Sequence, residues 1–282
     1  MSDTADDLIA YCRENNRVCP QPKVWHELWE MLPDRKRVVA FASLVITIID
    51  ITILDRLQNS ILRSDAKIQE QFDCTVFELP WDKFTVGAKI EPETIHAASS
   101  KYRGGKADPK LLNWYLTVVG SIPLHLARII CQRTNLWYDA KLRRQYGRIV
   151  IGITIALSLL LVVIGILRGL TIDSFVLTVL APAAPIIIWG VREYLRQRDA
   201  SEMLDRIRLE SEALWDHAKA GACSDGECTT LSRQFQNAIY ERRSTSPLIF
   251  DWIYKIQRPR LEDQMNRGAE DFVQEITAQS GN

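Results

Sequence analysis

Two uncharged apolar runs joined by a short turn constrain this chain more than any other feature. From Ile149 to Leu167 it reads IVIGITIALSLLLVVIGIL, about 19 residues or roughly 28 Å of helix, enough to cross a hydrocarbon core. From Ser174 to Val191 it reads SFVLTVLAPAAPIIIWGV, again without a charge. As core helices of a soluble protein, each run would need a thick shell of protein on every side, whereas a membrane hairpin needs only lipid. The pattern predicts a transmembrane hairpin over 149–191.

Orientation follows from the flanks. Lys141, Arg143, Arg144 and Arg148 precede the hairpin and Arg192, Arg196 and Arg198 follow it, which places both ends in the cytoplasm of a multi-pass membrane protein. Arg168 to Asp173 is then the outer turn, with Gly169 permitting a tight bend, and Trp189 fits an interfacial anchor. A further apolar helix is predicted over 38–54, VVAFASLVITIIDITIL, which carries Asp50. That carboxylate is either an ion or gating group or the point where the helix meets water, and its neighbours Asp55 and Arg56 favour the second. The basic run Arg35, Lys36, Arg37 conflicts with a single crossing there, so another crossing is needed or the segment does not span. Residues 1–37 lack a basic start, apolar core and cleavage site, so no signal peptide is expected.

The remainder is polar and helical in pattern, giving an all-α membrane protein: a transmembrane hairpin plus one N-terminal apolar helix, with helical cytosolic regions at 55–148 and 192–282. Leu57, Ile61, Ile68 and Phe72 are spaced for one face of an amphipathic helix, and Leu79-Pro80-Trp81 breaks it. Glu91-Pro92, Asp108-Pro109 and Pro123 read as helix starts. The last opens a run with no breaker before Gly147, which predicts a helix continuing into the first span. After the hairpin, Ala200, Met203, Leu204, Ile207, Leu214 and Ala218 form an apolar stripe. Leu231, Phe235, Ala238 and Ile239 form a second. Ser246-Pro247 reads as cap and first position of a third helix stopping before Pro259, and Leu261, Met265, Ala269, Phe272, Val273 and Ile276 supply a fourth.

Thirty-five Lys and Arg balance 35 Asp and Glu, so no general attraction to a nucleic-acid polymer is expected. No GxxxxGK, GxGxxG, HExxH or GxSxG occurs, and the acidic pairs fall on exposed helix faces, which argues against an enzyme and against a bound cofactor. Cys12 with Cys19 and Cys223 with Cys228 lack the partner ligands of a zinc site, and in the cytosol they are expected as reduced thiols. What stands out is a basic, aromatic set in the central region: Trp81, Lys101, Arg103, Arg128, Arg133 and Trp137, with Tyr102, Trp114 and Tyr115 among them. Rings stack on bases and guanidinium forks grip phosphates, so the set makes a candidate nucleotide sensor. Composition alone favours the other reading, tryptophans packed between helices and arginines at the membrane surface.

The strings AKIQEQFDC at 66–74, LPWDK at 79–83, LHLARIICQRTNLWYDAKLRRQY at 124–146 and SPLIFDWIYKIQR at 246–258, with VREY at 191–194 and QMNRGAEDFV at 264–273, resemble the SMODS-associating four-transmembrane effector family over residues 38–275. The resemblance implies a bacterial antiviral effector, encoded with a nucleotide-second-messenger synthase, that opens a pore and kills or arrests the infected cell. Family members usually begin with a first transmembrane helix preceded by a polar segment bearing QN and AK, which residues 1–37 lack. There CRENNRVCPQPKVWHELWEMLP at 12–33 instead resembles the opening of a small uncharacterised bacterial family.

The expected function is thus a homo-oligomeric effector that permeabilises the bilayer when a cyclic oligonucleotide binds. Ser174, Thr178, Pro182 and Pro185 lie along one side of the second span as gate or pore candidates; small and polar residues at such spacing also pack helices together. The competing reading is a membrane-anchored adaptor that conducts nothing.

Overall fold

The computed structural model describes residues 55–101 and 114–280, together with Val45, which is helical. The remainder of the 38–54 segment, Cys12, Cys19, Tyr102, Arg103 and the start at Asp108-Pro109 lie outside the described residues. In chain order the elements are α1 (Asp55–Val76), α2 (Lys83–Val86), α3 (Pro92–Lys101), a 3-10 turn (Thr117–Ser121), α4 (Leu124–Leu167), α5 (Ile172–Phe175), a π-helical turn (Val176–Leu180), α6 (Ala181–Lys219), α7 (Asp225–Thr245) and α8 (Asp251–Ser280). No strand occurs among the described residues.

α4 is one unbroken helix of 44 residues starting directly after Pro123. α5, the π turn and α6 form a second continuous helix, Ile172–Lys219, of 48 residues. Each contains a window long and apolar enough to cross a membrane, and little of either window is buried within the protein. That exposure separates them from soluble core helices, whose apolar faces are covered by their own chain. Gly169 turns between them at φ +62°, a left-handed conformation that favours glycine.

Within the hairpin the backbones approach at glycines. A Cβ on Gly190 would lie 2.1 Å from Thr154 Oγ1, and one on Gly165 would lie 2.5 Å from the Phe175 ring. Small residues here let the two apolar helices approach closely, as helix pairs suited to lipid require. The π turn has a local cause. Pro182 has no N–H to bond the carbonyl of Thr178, and Pro185 none for that of Ala181; the Ala181 amide bonds back to Val176, five residues earlier.

Below the hairpin, five helical rods form the cytosolic bundle. α1 runs antiparallel to α7, with Cys74 beside Arg233 and Ala66 packed on Tyr240. The lower part of α4 runs toward the membrane, α6 leads away from it, α7 returns and α8 leads away again. The end far from the membrane holds the largest core, where Phe77, Ile129, Ile130, Trp215 and Val273 meet. The membrane end closes on Tyr146, Val150 and Ile253. Each such aliphatic side chain, fully buried, contributes about 1.5–3 kcal/mol.

Three expectations are corrected. First, α1 exists but its inward face is Leu62, Ala66, Glu70, Asp73 and Cys74, while Ile61 and Phe72 are 56% and 51% exposed. The reason lies on α7, where Arg233, Gln236 and Arg243 wait as partners for the two carboxylates. Second, the third and fourth C-terminal helices are one. Ser246 ends α7 by bonding back to Arg242, and α8 passes through Pro259. A mid-helix proline costs about 3 kcal/mol. Ile253, Leu261, Met265, Ala269 and Val273 bury a continuous stripe on both sides of it, and that burial outweighs the break. Third, Cys223 and Cys228 form a disulfide, with Cα atoms 5.9 Å apart, rather than remaining thiols. The turn at Gly221 (φ +68°) and the Ser224–Glu227 capping box on α7 draw the two residues together.

Candidate functional site

At mid-height of the bundle, α1, α4, α6, α7 and α8 leave a cavity of about 710 Å³. That volume falls within the range typical of small-molecule sites. α4 supplies one continuous face to it: Asn135, Leu136, Tyr138, Asp139, Leu142 and Arg143, at the i, i+3, i+4, i+7 spacing of a helix. α1 contributes Leu62, Asp65, Gln69, Phe72 and Asp73. Arg243 comes from the end of α7, and Tyr254 and Arg258 from the first turns of α8.

The lining joins aromatic surface to cations. Trp114 sets its edge against Tyr138 at 5.7 Å between centroids, and Arg258 lies over the Tyr254 ring at 5.9 Å. Three guanidinium groups reach the cavity, each held by the protein. Arg143 donates to Asp139, to Gln197 Oε1 at 3.0 Å and to the Pro247 carbonyl at 2.7 Å. Arg258 pairs with Glu262 at 2.5 Å. Arg243 pairs with Asp73 at 2.6 Å.

Behind the wall runs a buried polar chain. Trp114 Nε1 donates to Asn135 Oδ1 (3.3 Å), Asn135 Nδ2 to the Tyr115 hydroxyl (2.7 Å), and that hydroxyl to Asp73 Oδ1 (2.6 Å). Gln236 Nε2 bridges Asp73 Oδ2 (3.0 Å) and Glu70 Oε2 (2.8 Å), and Arg233 completes the chain on Glu70 Oε1 (2.5 Å). Burial raises the Tyr115 hydroxyl well above its ordinary pKa, with Asp73 adding to the shift, so it remains a donor. Asp73 raises Arg243 above its ordinary value despite the opposing effect of burial. Both carboxylates thereby have charge-assisted partners inside the bundle.

Two thiols behave differently from the rest of the network. Burial, then nearby Glu70, pushes Cys74 up to about 11, and burial pushes Cys131 up to about 12. The sign of the linkage is definite. The folded chain keeps protons that an unfolded thiol begins to lose near about 8.5, so this stability is complete below that pH and declines as pH rises toward 11. Tyr115 shifts in the same direction. We expect the melting temperature of the detergent-solubilised chain to fall steadily between pH 8 and pH 11; a flat profile would contradict the buried placement.

The residues singled out from sequence do not converge on one pocket. Trp81 donates Nε1 to the Gly87 carbonyl (2.9 Å) and carries Lys89 over its ring at 5.5 Å. Lys101 ends α3, which buries no residue. Arg128 is buried and donates to the Phe77 carbonyl (2.5 Å) and Thr229 Oγ1 (2.6 Å), fastening the end of α1 to α7. Arg133 pairs with Glu212 at 2.9 Å and stacks on Phe272 at 4.8 Å. Trp137 packs beside Tyr138, Leu261 and Met265. Ser174, Thr178, Pro182 and Pro185 are half-buried in the hairpin, with the Thr178 hydroxyl donating to the Ser174 carbonyl. Sequence reasoning assigns no binding role to the cavity's Arg143, Arg243, Tyr254 and Arg258: Arg143 serves there as a topology signal, and Tyr254 and Arg258 appear only within the 246–258 string. A signal existed. The strings at 66–74, 124–146 and 246–258 that carry the family resemblance supply most of the cavity wall.

Fold and site together define a class: an all-α protein whose two long apolar helices continue into a cytosolic bundle with a half-open cavity lined by aromatic rings, three arginines and four aspartates, and with no cluster of metal-binding side chains among the described residues. The chain belongs to the SMODS-associating 4TM effector domain family, which its residues 20–272 match. The match begins inside the segment read from sequence as atypical. The chain is also similar to a "probable CBASS effector molecule" of Bacillus cereus strain VD146, at 26% identity over 213 residues, covering 75% of this chain and 70% of the relative. No solved structure matches the chain significantly. The family is one of non-catalytic effectors, and its association with CBASS fits an abortive-infection role in bacteria.

Proposed function

We propose that this protein is a homo-oligomeric, pore-forming effector of a bacterial antiviral system, which binds a cyclic oligonucleotide in the 710 Å³ cavity and then permeabilises the inner membrane. The observation that carries this reading is the course of α4. The helix that lines the cavity with Asn135, Asp139 and Arg143 is the helix whose upper half is the first apolar span. A ligand that shifts this face shifts the span, with no flexible joint between to absorb the motion. Tyr254 and Trp114 offer faces for bases, and Arg143, Arg243 and Arg258 offer forks for phosphates. An incoming phosphate competes with Asp73, Asp139 and Glu262 for those forks, which exchanges contacts among α1, α4 and α8. Arg128 and Arg133 hold the bundle in shape. The gate lies in the second span, where Ser174, Thr178, Pro182 and Pro185 flank the π turn.

The test is dye release from liposomes carrying the purified chain, across a panel of cyclic di- and trinucleotides. One nucleotide should trigger release. Arg258→Ala with Tyr254→Ala should raise the concentration required about 10- to 100-fold, the loss expected for one charge-assisted contact. Pro182→Ala with Pro185→Ala should change the release rate without changing nucleotide affinity. Binding without release from correctly inserted protein would favour an adaptor, and no binding to any nucleotide would defeat the sensor reading.

A further inference from the structure

The turn between α7 and α8 and the start of α8 expose four large apolar side chains: Leu248, which also borders the cavity, Phe250, Trp252 and Ile256, with Trp252 54% and Ile256 66% exposed. Trp252 and Ile256 are four residues apart and so share one face of α8. Soluble surfaces rarely gather such groups without a partner. Their height in the molecule identifies the partner. Ile253, between them, packs with Tyr146 and Val150, where the first apolar run begins. The Phe250 ring meets Trp189 at 6.1 Å, where the second run ends, and meets Tyr146 at 5.9 Å. The patch is therefore level with the ends of both apolar runs, whose own outward surface is apolar at Ile153 and Ile188. The charges on this turn, Asp251 and Lys255, neutralise each other as an exposed pair at 2.5 Å.

We propose that Leu248 to Ile256 forms an interfacial foot that rests in the boundary between lipid headgroups and acyl chains, fixing the depth of the bundle against the bilayer. Tryptophan with flanking polar groups suits that layer, because its ring prefers the apolar side and its N–H the wet side. The same segment walls the cavity through Leu248, Ile249 and Tyr254, so the sensor rests on the membrane surface through one rigid element. The inference rests on the membrane reading of the hairpin and is independent of pore activity and of the trigger.

The experiment places p-benzoylphenylalanine singly at Trp252, Ile256, Ile155 and Leu209 of the full chain, reconstitutes each protein in phosphatidylethanolamine–phosphatidylglycerol liposomes, irradiates, and reads adducts by mass spectrometry. Ile155 lies on the first span and Leu209 far down α6, and both are exposed, so they serve as lipid-positive and lipid-negative positions. Phospholipid adducts at 252, 256 and 155 but not at 209 are expected. Adducts at 155 alone, or crosslinks from 252 and 256 to protein, whether a second copy or another segment of the same chain, would overturn the foot while leaving the spans intact. No lipid adduct at 155 would overturn the membrane reading and the foot with it.

Discussion

Replacing Arg243 with methionine should lower the stability of the cytosolic bundle by about 3–5 kcal/mol, the cost of leaving one member of a buried ion pair without the other. Asp73 is almost wholly buried, and Arg243 is the cation that meets its Oδ2, at 2.6 Å. The Tyr115 hydroxyl and Gln236 amide would remain on Asp73, but neutral donors offset only part of the charge. In a thermal melt of detergent-solubilised protein, the expected drop is on the order of 10 °C. Pairing the change with Asp73→Asn should restore most of it, because the orphaned charge disappears with its partner. If Arg243→Met alone melts like the parent, the ion pair does not hold α1 against α7. If the double variant melts as low as the single one, the effect is packing rather than charge. The pair also faces the cavity, so the stable double variant can be assayed for nucleotide response with the fold held constant.

Gly190→Ala should force the two apolar helices apart at their cytosolic end. The added Cβ would fall 2.1 Å from Thr154 Oγ1 and 3.1 Å from Thr154 Cβ and Cγ2. Thr154 cannot swing away freely, because its hydroxyl is held on the Val150 carbonyl at 2.9 Å. Overpacking of this kind costs about 1–3 kcal/mol. Spin labels on the outward residues Ile155 and Ile186 should report a longer and broader distance in Gly190→Ala than in the parent. Thr154→Ala in the same chain removes Oγ1 and Cγ2 and should recover part of the original distance. An unchanged distribution would mean that the hairpin is not packed through this contact.

These two sites differ in how far they are legible in the chain itself. Gly190 sits inside an apolar run, where its small size hints at helix packing, yet only the structure pairs it with Thr154. The pairing of Asp73 with Arg243 gives no sequence hint, although Asp73 falls within the 66–74 string. The two residues are far apart in the chain, and in α1 the apolar spacing of Ile61, Ile68 and Phe72 points to a different inward face. Periodicity assumes that burial follows apolarity. On α1 that assumption fails, because Arg233, Gln236 and Arg243 on α7 offset the desolvation of Glu70 and Asp73 and so allow both carboxylates to be buried. Pro259 shows the same limit from another side: a local breaker reads as an end, while the buried stripe from Ile253 to Val273 is a property of the assembled bundle.

The sequence by itself determined that the chain is helical, that two of its helices are long and apolar enough to cross a bilayer, and that the helix begun after Pro123 runs into the first of them without a break. Those properties are local: hydrophobic run length, proline placement and the absence of a breaker act within one segment. The tertiary structure alone decided which face of α1 turns inward, that α8 is one rod, that Cys223 and Cys228 join, and where the cavity lies. The arginines of that cavity come from α4, α7 and α8, and no spacing rule within a segment brings them together. Side-chain partners far apart in the chain meet only when the bundle closes, so the free energy that selects them belongs to the assembled fold.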